Sequence, residues 1–252
     1  MGTHVRALLL AATVAVSAAC GGGGSAPADE AAAGSPGVDG PASTTPTTTP
    51  TTASAEGTTL VARADGELAV SPEPGAPPSH HLPATTEFGS PRALLVLDEQ
   101  GDWLHVALPD RPNGSTGWIA RADVEVREFD ERVEIDLAAR TLTLVDGGEV
   151  VLTTPIAVGA SAAPTPTGAF YVVDKLATGD PDDTYGPFAF GLSAHSDVLT
   201  EFAGGDGQVG IHGTNDPASI GQAVSHGCIR VPNDVAEALE ARLHLGTPVT
   251  IG

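Results

Sequence analysis

The sequence predicts a mainly β protein: two β-rich units in succession, with one helix near the C-terminus. Three observations predict it. Short apolar runs separated by Gly, Pro and Asn turn signals recur from residue 60 onward. Strict period-two alternation appears at 133–137 and 141–145, the spacing of half-buried strands. Only one stretch, after residue 233, carries helical spacing.

Composition bounds the function. The 252 residues are 41% hydrophobic, enough for a packed core, and the net charge is −21 with only 11 Lys and Arg. Nucleic acid is therefore excluded as a partner, because phosphate backbones are bound through Lys and Arg. Loose electrostatic attachment to anionic lipid is disfavoured for the same reason.

Residues 1–20 read as an export leader. Arg6 supplies a positive start, and residues 7–19 form an apolar run too short to span a bilayer. Ser17-Ala18-Ala19-Cys20 resembles a bacterial lipoprotein cleavage box, with Cys20 as the lipidated residue and Ser17 standing where an aliphatic residue is usual. An ordinary signal peptide cut near Ala19 is the alternative. Residues 21–59 are rich in Gly, Ala, Pro, Ser and Thr and cannot bury a core, so they read as a disordered tether. The expected location is the outer face of the cytoplasmic membrane, facing the wall, with the membrane as a partner through the lipid anchor.

Residues 60–129 read as a small all-β unit. Strands are expected at 60–62, 67–70, 93–97, 103–108, 117–120 and 124–127, with Asn113-Gly114 as a hairpin signal. The phrases Gly101-Asp102-Trp103-Leu104-His105-Val106 and Gly117-Trp118-Ile119 resemble the SH3-like barrels of bacterial cell-wall proteins. Trp103 and Trp118 are either core residues or contacts to a wall ligand. The adjacent His80 and His81 lack a partner cluster and do not point to a metal.

Residues 130–252 read as a second unit. A meander at 133–137, 141–145 and 150–158 leads to the rigid turn Pro164-Thr165-Pro166-Thr167-Gly168 and a strand at 169–173. Residues 185–193 are either strand or lid, and 208–212 is a strand. Asp234 and Glu237 have capping-box spacing, Val235, Leu239 and Leu243 share one helix face, and Gly246 can end the helix. Residues 248–251 close the unit as a strand.

The chemistry concentrates in residues 211–232, which hold His212, His226 and Cys228. With Cys20 lipidated, Cys228 has no disulfide partner, and a lone thiol in an exported protein is best explained by reactivity. A free thiol is only about 3% thiolate at neutral pH, and a histidine in contact can lower its pKa and carry its proton. Gly227 suits a turn that presents backbone N–H groups to an oxyanion. In an extended segment His226 and Cys228 would point the same way, while His212 sits at a strand end. Spacing alone does not choose between the histidines. A zinc site from His212, His226 and Cys228 would lack a fourth ligand nearby, so no metal and no cofactor is expected.

His212-Gly213-Thr214 followed by Ser225-His226-Gly227-Cys228-Ile229-Arg230 resembles the signature of the L,D-transpeptidases with a YkuD-type catalytic domain, and the likeness extends over about residues 130–252. The resemblance implies Cys228 as nucleophile, His212 as general base and acid, and the Gly213 carbonyl as the group that orients His212. It implies an oxyanion hole around Gly227 and Cys228, supporting roles for Ser225 and His226, and for Arg230 either a loop-holding or a carboxylate-binding role. Tyr185 and His195 fall in the lid region of the family and are expected to line the substrate. The implied activity is cross-linking of peptidoglycan stem peptides, with trapping by carbapenem β-lactams. The alternatives are an L,D-carboxypeptidase that uses water as acceptor, or a catalytically silent wall-binding lipoprotein.

Overall fold

The computed structural model describes residues 57–201 and 205–252. The leader, Cys20 and nearly all of the tether lie outside the described residues.

The N-terminal part is a five-stranded antiparallel sheet. Its strands are β1 (Thr59–Arg63), β4 (Ala93–Gln100), β5 (Trp103–Ala107), β6 (Thr116–Ala120) and β7 (Glu125–Phe129), in the order β6–β5–β4–β1–β7. Two short strands, β2 (Leu68–Val70) and β3 (His80–Leu82), pair beside it as a separate hairpin. Leu104, Val106 and Ile119 point inward, as period two requires. Trp103 and Trp118 do not join that core. They lie half-buried on the opposite face, where Trp118 stacks on His105 at 4.7 Å.

The C-terminal part is an eight-stranded mixed sheet in the order β10–β9–β8–β17–β12–β13–β14–β16. The meander is β8 (Arg132–Asp136), β9 (Thr141–Asp146) and β10 (Glu149–Pro155). The remaining strands are β12 (Gly168–Ala177), β13 (Phe188–His195), β14 (Gln208–His212), β16 (Ile229–Arg230) and β17 (Pro248–Ile251). A parallel two-stranded ladder joins β11 (Val158–Gly159) to β15 (Ala223–Ser225).

Strand β12 is the element shared by both cores. Successive side chains of a strand leave opposite faces. Phe170 and Val172 therefore enter the core of the eight-stranded sheet, while Tyr171 and Val173 enter the core of the five-stranded one. Tyr171 is fully buried there, and its hydroxyl donates to Ala107 O at 3.1 Å. Gly246 lies against Val61 of β1 so closely that a Cβ would sit 2.4 Å from its Cγ1.

Helix α1 (Asn233–Glu240) is shorter than predicted, and the capping box is not formed. Pro232 occupies the N-cap with no side-chain bond, and the helix ends well before Gly246. Lys175 Nζ donates to Glu240 O at 2.7 Å and Leu243 O at 2.8 Å, which satisfies carbonyls that the helix end leaves open. Leu239 and Leu243 join the buried stripe as expected, but Ala236 takes the place of Val235, which is only partly buried. Among the described residues no helix is long and apolar enough to cross a membrane.

Candidate active site

Strands β14 and β16 run parallel, with Ile211 opposite Ile229 and His212 opposite Arg230. Cys228 immediately precedes β16, so the register places it beside Gly210. The Gly210 N–H points at its sulfur and favours the thiolate, and Arg230 adds its positive charge in the same sense. Burial outweighs both and pushes the thiol above its ordinary value. Residue 210 must be glycine because a Cβ would lie 2.9 Å from Phe190 O.

His212 is 4% exposed, and its Nδ1 lies 2.5 Å from Gly213 O. A carbonyl oxygen can only accept, so Nδ1 carries the proton and Nε2 presents the lone pair. Burial pushes His212 down to about 4; Arg230 also lowers it, while the Gly213 carbonyl and Asp183 oppose this. Burial thus disfavours both the thiolate and the imidazolium.

The loop carrying Cys228 is fixed from two directions. Thr165 Oγ1 donates to Gly227 O at 2.9 Å and accepts from Gly159 N at 2.9 Å. Ser225 Oγ donates to Cys228 O at 2.6 Å and accepts from Gly227 N at 3.2 Å. The Gly227 N–H, expected to face an oxyanion, is therefore engaged inside the loop. Gly227 has φ +116°, a conformation that favours glycine. This twist breaks the extended geometry in which His226 and Cys228 would point together. His226 is exposed, and Cys228 retains only partial exposure.

Tyr185, 38% exposed, meets the His212 ring edge-on at 4.8 Å between centroids. Burial raises its hydroxyl pKa, with Cys228 and Asp183 adding to the shift. Arg230 is half-buried, and its nearest carboxylate is Asp216, at 4.0 Å. His195 is not brought to this site. Ala189 pairs with His212, while His195 pairs with Gln208, four residues back along β14 and roughly 13 Å away at the strand rise. It is paired there with Asp206 at 2.8 Å.

Asn233 escaped the sequence reading. Its Oδ1 accepts from Thr214 N at 2.7 Å, and its Nδ2 donates to Pro181 O at 3.0 Å. It clamps the loop bearing Tyr185 onto the segment bearing His212 and Gly213. Gly186 and Gly213 both make room for it, since a Cβ on either would lie within 2.5 Å of Asn233 Oδ1. Its sequence signal, an Asn just after Val231-Pro232, reads only as a helix start. Among the described residues no group of His, Cys, Asp and Glu could hold a metal ion.

Residues 130–251 match the YkuD family, the L,D-transpeptidase catalytic domain. This segment belongs to that family. The YkuD domain here is 40% identical over 119 residues to YkuD of Bacillus subtilis (strain 168), a protein assigned as an L,D-transpeptidase. That match covers 47% of this chain and 64% of the relative. The Bacillus licheniformis protein of the same assignment is 38% identical over 120 residues, covering 48% of this chain and 64% of its own. The chain thus spans less than two thirds of the length of these curated relatives. The NMR structure of the catalytic domain from an E. faecium L,D-transpeptidase aligns at 28% identity over 49% of this chain and 97% of that one, with a TM-score of 0.36.

Proposed function

We propose that the protein is an exported peptidoglycan L,D-transpeptidase in which Cys228 is the nucleophile and His212 the general base and acid. The observation that carries this reading is the parallel pairing of β14 with β16. In this register Cys228 and His212 lie on neighbouring strands two positions apart, and the Gly213 carbonyl on Nδ1 leaves Nε2 of His212 with the free lone pair, which supports the assignment.

In the first half-reaction Nε2 takes the thiol proton as sulfur attacks the carbonyl before the terminal D-Ala of a tetrapeptide stem. The proton passes to the leaving D-Ala amine, leaving a thioester. In the second, Nε2 takes a proton from the side-chain amine of the third residue of another stem, which attacks the thioester and releases the thiol. The low pKa of His212 keeps it unprotonated at neutral pH, ready to accept. Arg230 favours the thiolate and disfavours the imidazolium, which drives the proton on toward the leaving amine. With Gly227 N–H engaged, the Cys228 N–H is the oxyanion donor we assign, a group worth about 3 kcal/mol in comparable sites. Tyr185 lines the entrance over His212. Cys20 would carry the lipid anchor, and residues 21–59 the tether to the wall.

Incubation with a disaccharide-tetrapeptide and mass spectrometry of the products tests the reading. Cross-linked dimer is expected. Tripeptide alone would make the enzyme an L,D-carboxypeptidase, and unchanged substrate would refute catalysis. Cys228→Ala should form no dimer. Imipenem should add covalently to the parent and not to Cys228→Ala.

A further inference from the structure

Arg111 lies in the β5–β6 connection of the N-terminal sheet, yet it spends its guanidinium on the catalytic part. It donates to Ser196 O at 2.9 Å, Leu199 O at 3.1 Å and Asp206 O at 2.7 Å. The first two carbonyls follow the end of β13, and the third precedes the start of β14. One side chain thus ties the outgoing and returning flanks of the β13–β14 connection. Asn113, two residues on, reinforces the same contact. Its Nδ2 donates to His195 O at 2.7 Å and its Oδ1 accepts from His195 N at 2.9 Å, so it extends the end of β13 as a neighbouring strand would.

The flanks are pressed together at Gly207. Its carbonyl accepts from Ser196 N at 2.9 Å. A Cβ there would lie 1.9 Å from Leu199 O and 3.0 Å from Arg111 Nη2, and φ is +81°. Strand β14 begins at the next residue. Two residues into it Gly210 presents its N–H to the Cys228 sulfur, and at its end stands His212. The position of β14 along the sheet therefore sets where both the Gly210 N–H and the His212 ring stand relative to Cys228. A guanidinium is suited to this task because its planar fork holds several carbonyls in one geometry, where a lysine ammonium would not.

We propose that Arg111 is a positioning residue for Cys228 and His212: it fixes the entry of β14 and makes the N-terminal sheet a working part of the catalytic site. The kinetic consequence rests on the transpeptidase reading, while the geometric consequence does not.

The test compares the full chain with Arg111→Ala and Arg111→Lys, each checked for folding by circular dichroism. The first readout is the rate of Cys228 alkylation by iodoacetamide across pH 5–10. The second is kcat and KM on the tetrapeptide substrate. Arg111→Ala should displace the alkylation midpoint upward, because the Gly210 N–H no longer sits squarely on the sulfur. It should lower kcat roughly 10- to 100-fold, the cost of misplacing reacting groups by about 1 Å, with KM changed less than about 2-fold. Arg111→Lys should fall between Ala and parent on both readouts. A folded Arg111→Ala with the parent's alkylation profile would overturn the proposal, since a purely stabilising role would leave that profile unmoved. Should Arg111→Ala not fold, Arg111→Lys decides on the same criterion. If the parent itself leaves the tetrapeptide unchanged, the transpeptidase reading fails and the alkylation arm still decides.

Discussion

Replacing His212 with asparagine removes a buried titratable group while keeping an N–H near the position of Nδ1 for Gly213 O. Burial holds the parent ring down at about 4 when folded, against an ordinary value of 6.5. Between those values the unfolded chain binds a proton that the folded chain refuses. Stability therefore rises with pH across this window, is fully present above about 6.5, and is lost as pH falls toward 4. The shift corresponds to on the order of 3 kcal/mol, because each pH unit is worth about 1.4 kcal/mol. The other seven histidines are common to both proteins and cancel in the difference. Urea denaturation at half-unit steps from pH 7 to 4 measures it. The parent should lose about 3 kcal/mol relative to His212→Asn over that range. Parallel curves would refute the claim that His212 is held neutral by burial.

Four further outcomes follow from the packing. Thr165→Val keeps the shape but strips a donor from Gly227 O and an acceptor from Gly159 N, and should cost about 1–3 kcal/mol in urea denaturation; an unchanged midpoint would contradict the bridge. Asn233→Ala should lower kcat/KM roughly 10-fold or more by freeing the Tyr185 loop, as small displacements of positioning groups do; Asn233→Asp, which keeps the acceptor for Thr214 N, should recover part of it. Gly246→Ala should destabilise by more than about 1 kcal/mol, because φ is +96° and the new methyl meets Val61; adding Val61→Ala should relieve the clash but not the strain, and full recovery would locate the cost in the clash alone. Alkylation of Cys228 should have its midpoint above that of a free thiol, since burial raises it; a lower midpoint would show a preformed thiolate.

Much of this was legible in the sequence where the signal is local. The meander shows in the alternation of Val133 and Ile135 with Glu134, and of Leu142 and Leu144 with Thr143, because one face of each strand meets the core. A lone thiol with two histidines near it is legible from residue types, and only the family resemblance points to His212 rather than His226 as the base. What sequence could not supply were contacts made across long separations. Thr165 and Gly227 are 62 residues apart, and Asn233 and Pro181 are 52 apart. Local pattern also misled. Asp234 and Glu237 have the spacing of a capping box, but Asn233 starts the helix and its side chain serves the site instead. Residues 226–228 read as extended until Gly227 turns the chain and sends His226 outward. His195 was expected at the substrate because its segment was, but β13 carries it to the far end of the pairing, opposite Gln208, while Ala189 is the residue opposite His212.

The stretch that matches the family and the stretch that packs as one are not the same length here. The matched segment begins at residue 130, after β7. A chain cut at that point would bare Tyr171 and Val173 on one face of its central strand and strip Gly246 of the side chain it fits. Recombination at that boundary would thus pass on His212 and Cys228 with an open flank. Any new N-terminal neighbour would have to supply a pocket for that tyrosine and an acceptor for its hydroxyl before the thiol could be put to use.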